Sequence, residues 1–327
     1  MQTAETTHAA FPPSPPAASP RLRLHSLPLS SSASLSSASL PLPPSPSLSS
    51  SLSALRSPLR PARYWRFCRS APRPMGIHVI TPNKKLGSGP VERYQAVRRM
   101  QREGYIHFFY EGTVGAGLPI MGTLKHLMET GDHIIKIEGI LSGTLSYIFN
   151  TWKPGMPFSQ VVEDAKSKGY TEPDPRDDLS GTDVARKVAI LARECGLMLE
   201  LERIPVQSLV PGPLQSVASS AEYMARLPEF DAEMEEKIKE AEAAGECLRY
   251  VGVVDAQEGR GSVELRRYPK SHPFAQLQGS DNIISFTTAR YFKQSLIVRG
   301  PGAGADVTAA GVFSDLLRLA AYLGAPS

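Results

Sequence analysis

Cysteine is scarce in this chain: Cys68, Cys195 and Cys247 stand far apart and form no CxxC pair. That spacing argues against a disulfide framework and against a structural zinc site. No apolar run approaches the ~20 residues that a membrane-spanning helix needs, so no membrane association is expected. The chain reads as a soluble protein of a reducing compartment. Acid is almost missing from the start: Glu5 is the only carboxylate before Glu92, and no lysine precedes Lys84. Arginine fills the gap at positions 21, 23, 56, 60, 63, 66, 69 and 73. The net charge of +4 therefore belongs to the leader, and the body is close to neutral or acidic. Nucleic acid is accordingly not an expected partner.

Residues 1–74 are dominated by Ser, Pro, Ala and Leu. Such a segment cannot bury enough apolar surface to offset its ordering entropy, and is expected to be disordered. Its Arg- and Ser-rich, acid-poor composition is that of an organelle transit peptide. The alternatives are a plain disordered tail or a misassigned start. A chloroplast or other plastid follows from the first reading, the cytoplasm otherwise.

From Met75 onward the pattern changes. Gly76 to Ile80 is a short strand-like run, Val91 to Gln101 reads as a helix and Ile106 to Tyr110 as a buried strand. Helices are expected over Pro119–Glu129, Thr144–Thr151, Phe158–Lys168, Thr182–Glu194, Phe230–Ala244 and Val307–Tyr322. Strands are expected over His133–Ile140, Leu248–Asp255, Ser262–Tyr268, Asn282–Thr288 and Ser295–Arg299. Glycines follow several of the helices, as C-caps do. Early alternation followed by consecutive strands suggests an α/β fold: a partial Rossmann-like nucleotide-binding unit joined to an α+β domain.

The densest polar stretch runs from Gly169 to Asp183. Its prolines and glycines predict an irregular, stiff, acid-rich loop feeding a helix; a solvated surface loop fits equally well. In the helix that follows, Val184, Val188 and Leu191 form an apolar stripe. Asp183 and Lys187 are one turn apart on another face. By spacing alone this is an exposed ion pair worth ~0.3–0.5 kcal/mol. The sharper reading is a lysine held at a site, able to protonate a developing alkoxide. Two glycine-rich stretches, Glu111–Pro119 and Arg299–Ala305, each lie between a strand and a helix. Either a tight turn or a close approach to a ligand explains them. Neither has the G-x-G-x-x-G spacing.

Taken together, Thr81-Pro82-Asn83-Lys84-Lys85, Tyr110 to Pro119, Lys136 to Thr144, Gly169 to Lys187 and Gly300 to Thr308 resemble homoserine dehydrogenase, and the leader and Pro205 to Pro211 resemble its plant form. The resemblance covers Gly76 to Ser327. It implies interconversion of L-aspartate 4-semialdehyde and L-homoserine with NADP or NAD, on the route to threonine and methionine. It implies Lys187 as proton donor with Asp183, and Glu172, Asp183 and Gly169 at the substrate. Lys84, Glu172, Gly302 and Gly304 would lie at the cofactor. Glu111 with Val114, Ala116 and Leu118 resembles a site for a monovalent cation such as sodium. A homodimer through the central domain is implied, which should present an apolar face there. The implied division is residues 75–118 and 299–327 as a remnant of the nucleotide domain, with 119–298 as the catalytic and dimerisation domain. Where family members carry a first strand and phosphate loop, this sequence has its Ser/Pro leader. The expectation is therefore a chain short of the front of its nucleotide domain. The competing reading is a non-catalytic homologue acting as a dimer partner or regulator.

Overall fold

The structure, a computed structural model, describes residues 77–325; the leader expected over 1–74 lies outside the described residues. Two short strands open the described chain. β1 (Val79–Ile80) and β2 (Phe108–Phe109) pair in parallel, Val79 opposite Phe108. Parallel strands need a crossover, and here it consists of α1 (Lys84–Gly87) and α2 (Val91–Gly104). The Asn83 side chain caps α1 by accepting from Lys85 N at 2.8 Å. α3 (Ile120–Glu129) follows a glycine-rich turn and leads into β3 (Ile134–Ile140).

The chain then alternates little. α4 (Gly143–Thr151), α5 (Phe158–Ser167), α6 (Pro175–Leu179), α7 (Thr182–Glu194), α8 (Ser220–Arg226) and α9 (Asp231–Ala243) come before β4 (Glu246–Asp255). β5 (Arg260–Pro269), β6 (Asp281–Thr288) and β7 (Leu296–Pro301) complete an antiparallel sheet of order β5-β4-β3-β6-β7. α10 (Ala305–Tyr322) ends the described chain and returns to the first strands. Tyr322 stacks on His107 at 4.9 Å and on Phe109 at 6.0 Å.

The pattern-based elements hold closely, and α7 has the expected bounds. The stretch 169–183 does not stay irregular. Asp174 caps Arg176 N at 3.0 Å, Pro175 sits at the first helical position, and α6 forms. α1 and α8 also go beyond the expectation.

One core holds the described chain together. Phe108, Val114, Ile120 and Leu124 join Val184, Val188, Leu191, Val254 and Phe286 in it. α7 lies against the sheet, and the contact is close at Gly252, where a Cβ would meet Val188 at 2.7 Å and Val184 at 3.1 Å. Gly252→Ala is expected to cost ~1–3 kcal/mol through overpacking. Urea denaturation would measure this as a lower midpoint at unchanged slope.

The sheet's other face is divided. Ile140, Val251, Val253, Tyr268 and Ile283 are covered by Phe274 and Leu277. Beside them runs a half-buried ionic ladder: Lys136 to Glu138 at 2.8 Å, Glu138 to Arg266 at 2.7 Å and Arg266 to Glu264 at 2.7 Å. This face of the sheet therefore carries charge beside an apolar patch that the chain's own loop covers.

Candidate active site

α7 carries the central pair. Its N-cap is Gly181, at φ +73°, and a Cβ there would stand 2.1 Å from the Tyr250 hydroxyl. Only glycine fits both the left-handed backbone and the close approach. This turn sets Asp183 in the first turn of α7 and Lys187 one turn further on. Lys187 is 8% exposed, so the exposed ion pair that the spacing suggested is overturned. Its Nζ contacts Asp183 Oδ2 at 2.9 Å and donates to the Leu141 carbonyl at 2.6 Å. Leu141, just past the end of β3, is itself buried and its carbonyl holds the ammonium in place. Lys84 of α1 meets the other oxygen, Asp183 Oδ1, at 3.1 Å.

Two lysines therefore share one carboxylate. Burial works against the Asp183 charge, but Lys187 and Lys84 outweigh it and hold the carboxyl below its ordinary range. Lys187 is pushed down, first by burial and further by the Lys84 charge, with Asp183 opposing. The result is an ammonium that gives up its proton more readily than a free lysine does.

Above this pair lies a cleft of about 610 Å³. Lys84, Gly169, Glu172, Asp183, Lys187, Gly302 and Gly304 all line it, as does Ala116. Residues from four separate stretches of sequence are thus brought together. The glycine-rich stretches are more than turns, since Gly112 and Ala116 form one wall, and Gly302 and Gly304 another. Gly304 caps α10 without a side-chain bond, which leaves the first N–H groups of that helix beside the cleft.

Glu111, Val114 and Leu118 are not part of the cleft lining. Glu111 is buried, and its Oε1 and Oε2 accept from Met121 N at 2.7 Å and Gly122 N at 2.8 Å. Arg318 stands 3.7 Å from Oε2, and the Leu118 carbonyl accepts from Ile120 N at 2.8 Å.

Among the cleft residues that the sequence did not single out, Thr144 and Asp178 are hydrogen-bonded to each other and to its rim. Thr144 Oγ1 lies 2.6 Å from the Tyr170 carbonyl and 2.9 Å from Asp178 Oδ1. Asp178 Oδ2 also accepts from Glu172 N at 2.8 Å, which fixes Glu172 at the rim. Burial pushes the Asp178 carboxyl up, and Glu172 and Asp177 add to this, against the hydrogen bonds from Glu172 N and Thr144. The available signal was Ser142, which caps α4 by accepting from Leu145 N at 3.2 Å and thereby sets Thr144 in the first turn.

A buried ammonium facing acids in a glycine-lined cleft is an arrangement that can stabilise and protonate a developing negative oxygen. The homoserine dehydrogenase family profile matches residues 119–317. The chain is 68% identical over 252 residues to a chloroplastic bifunctional aspartokinase/homoserine dehydrogenase of Arabidopsis thaliana, covering 77% of this chain and 28% of that protein. It is 50% identical over 254 residues to the homoserine dehydrogenase of Emericella nidulans, covering 75% of this chain and 69% of that one. Among solved structures, a protein of unknown function from Candida auris superposes with a TM-score of 0.73 at 47% identity, over 75% of this chain and 70% of that chain. A hyperthermophilic archaeal homoserine dehydrogenase in complex with NADPH gives a TM-score of 0.55 at 25% identity, over 77% and 66%. The chain belongs to the homoserine dehydrogenase family. It spans little more than a quarter of the bifunctional plant relatives.

Proposed function

We propose that this chain carries the substrate-handling part of a homoserine dehydrogenase and that its cleft interconverts L-aspartate 4-semialdehyde and L-homoserine. The observation that carries this reading is the buried Lys187, paired with Asp183 and Lys84 at the floor of a cleft whose rim holds Glu172 and Asp178. A bound nicotinamide, NADPH or NADH, supplies the hydride. As the aldehyde carbon is reduced, negative charge grows on its oxygen. The Lys187 ammonium stabilises that charge and donates the proton. Asp183 orients Lys187 and, with Glu172, holds the substrate.

The residues present suit part of a dinucleotide. Gly302 and Gly304 form a wall free of bulky side chains, and the uncapped N-terminus of α10 favours an anion. The archaeal relative in complex with NADPH supports the cofactor class. A monovalent cation at Glu111, Val114, Ala116 and Leu118 fits less well. The carboxylate already faces two backbone N–H groups and a guanidinium, and one of the carbonyls is taken. No step here depends on one.

Spectrophotometric oxidation of NADPH by aspartate 4-semialdehyde tests the reading. Turnover that disappears in Lys187→Met supports it. NADPH binding without turnover by the unmodified chain would favour the non-catalytic partner or regulator instead.

A pH profile is a finer check. Lys84 helps hold the Lys187 pKa down, whereas Asp183 raises it. Reduction needs Lys187 protonated, so the rate falls as pH rises through its pKa. Lys84→Met is expected to move this alkaline limb to higher pH, and Asp183→Asn to lower pH. Limbs that stay put, or shift the opposite way, would remove Lys187 from the proton transfer.

Within this reading, residues 75–118 and 299–327 belong to the nucleotide domain, and 119–298 to the catalytic and dimerisation domain of a homodimer. The return of α10 to β1 and β2 through Tyr322 supports the split. A plastid location is supported by the chloroplastic plant relatives and by the composition of the leader.

A further inference from the structure

A second cavity, of about 420 Å³, shares no lining residue with the cleft. Its walls include Arg98 of α2, Lys125 of α3 and Arg318 of α10, with His107 and His126. Three basic side chains thus come from three different helices into one cavity. Glu129 and Glu194 are the acids among its lining residues. Glu129 is exposed, and Glu194 already accepts the Tyr110 hydroxyl.

Each of the three cations faces a carboxylate at ion-pair range but beyond hydrogen-bond length. Arg98 and Lys125 share Glu194 Oε1 at 3.8 and 3.9 Å. Arg318 stands 3.6 Å from Asp315 and 3.7 Å from Glu111. All four distances exceed the ~3.2 Å limit of a good hydrogen bond. Glu111 and Asp315 are in turn occupied, Glu111 by Met121 N and Gly122 N, and Asp315 by Glu111 N at 2.8 Å. Lys125 lies 4.3 Å above the Tyr110 ring and Arg318 lies 5.7 Å from that of Phe109, so aromatic faces hold both heads in place. Arg98 Nη1 donates to Gln101 Oε1 at 3.3 Å; among the described residues, the other donors of these groups have no acceptor within hydrogen-bond distance.

We propose that this cavity is a second ligand site, for a phosphate-class anion, either free or carried by a small molecule. Donors arriving from three helices suit a tetrahedral oxyanion better than a planar carboxylate, which takes a single fork. The aromatic surfaces of Phe108, Phe109 and Tyr322 in the same walls give room for an organic carrier. Lys125 carries the only amine among the lining residues, which makes it the acylation reporter of the site; burial lowers its pKa, against the pull of Glu194.

Competitive acylation of the 327-residue protein with acetic anhydride, read by mass spectrometry, tests this. At matched ionic strength, inorganic phosphate is expected to protect Lys125 relative to potassium chloride, with the exposed Lys270 unchanged. Arg98→Gln and Arg318→Gln are each expected to raise the half-protecting concentration about ten-fold. Adenosine monophosphate protecting at lower concentration than phosphate assigns a carried group; equal protection assigns the free ion. If a variant fails to fold, the protection of Lys125 in the unmodified protein decides. Protection of Lys84 alone would place the phosphate in the cleft and overturn the proposal, as would equal protection of Lys125 by chloride.

Discussion

Replacing Lys187 with methionine is expected to lower the rate of aldehyde reduction by about 10²–10⁴-fold, the range typical of losing a positioned general acid. Methionine keeps the length and apolar stem of lysine but has no proton to give. The fold should tolerate it. Asp183 is half-exposed and retains Lys84 at 3.1 Å, so no carboxylate is left buried and alone. The remaining cost is the Leu141 carbonyl, which loses its 2.6 Å bond, offset by removal of a charge that burial disfavours. Melting temperature and cofactor affinity should therefore stay near those of the parent protein while the turnover number collapses. A rate within ten-fold of the parent would mean that another group protonates the oxygen.

The same residue marks where sequence reasoning ends. Helical spacing put Val184, Val188 and Leu191 on a buried face, and they are buried. It also put Lys187 on a different face, hence in solvent. The structure buries that face too. Val184, Ala185 and every residue from Lys187 to Glu194 are buried, because α1, α3, β4 and β5 pack around the helix. Periodicity reports the apolar stripe of such a helix correctly, but it cannot show that neighbours distant in sequence enclose its polar face as well. The neighbours responsible lie far away in sequence: Leu141 is 46 residues before Lys187.

The cavity bounded by Arg98, Lys125 and Arg318 was illegible for the same reason, since three helices contribute one residue each. α6 is a different kind of miss. Asp174-Pro175 carries both an N-cap and a first-turn proline, but a helix of five residues has almost no periodicity to read. What the sequence carried well was local: caps, strand alternation and the run from Gly169 to Lys187. That run is contiguous along the chain, so its residues could be named before their geometry was known.

Arg249→Met is expected to lower stability by roughly 3–5 kcal/mol, since charge-assisted bonds are worth ~1.5–3 kcal/mol each and the abandoned carbonyls stay buried. At 6% exposure, the guanidinium has no carboxylate partner and works only on carbonyls. Nε donates to Phe274 O at 2.9 Å and Nη2 to Ala275 O at 3.1 Å. Nη1 donates to Phe149 O at 3.0 Å and to Leu248 O at 2.8 Å. One side chain thus ties β4 to the end of α4 and to the loop whose Phe274 covers the second face of the sheet. The loop continues to Ser280, which lines the active-site cleft, and is held there by Asn150 donating to Gly279 O at 2.9 Å and Ser146 to Asp281 O at 2.7 Å. Thermal melts should fall by about 6–20 °C, given ~2–4 °C per kcal/mol at this size. KM for the aldehyde should rise more than kcat falls, because the loop wall loosens while Lys187 stays in place. Arg249→Lys should recover little, since one ammonium cannot reproduce the planar fork that reaches these carbonyls. A loss below ~1 kcal/mol would show that water satisfies the carbonyls and that the loop does not depend on Arg249.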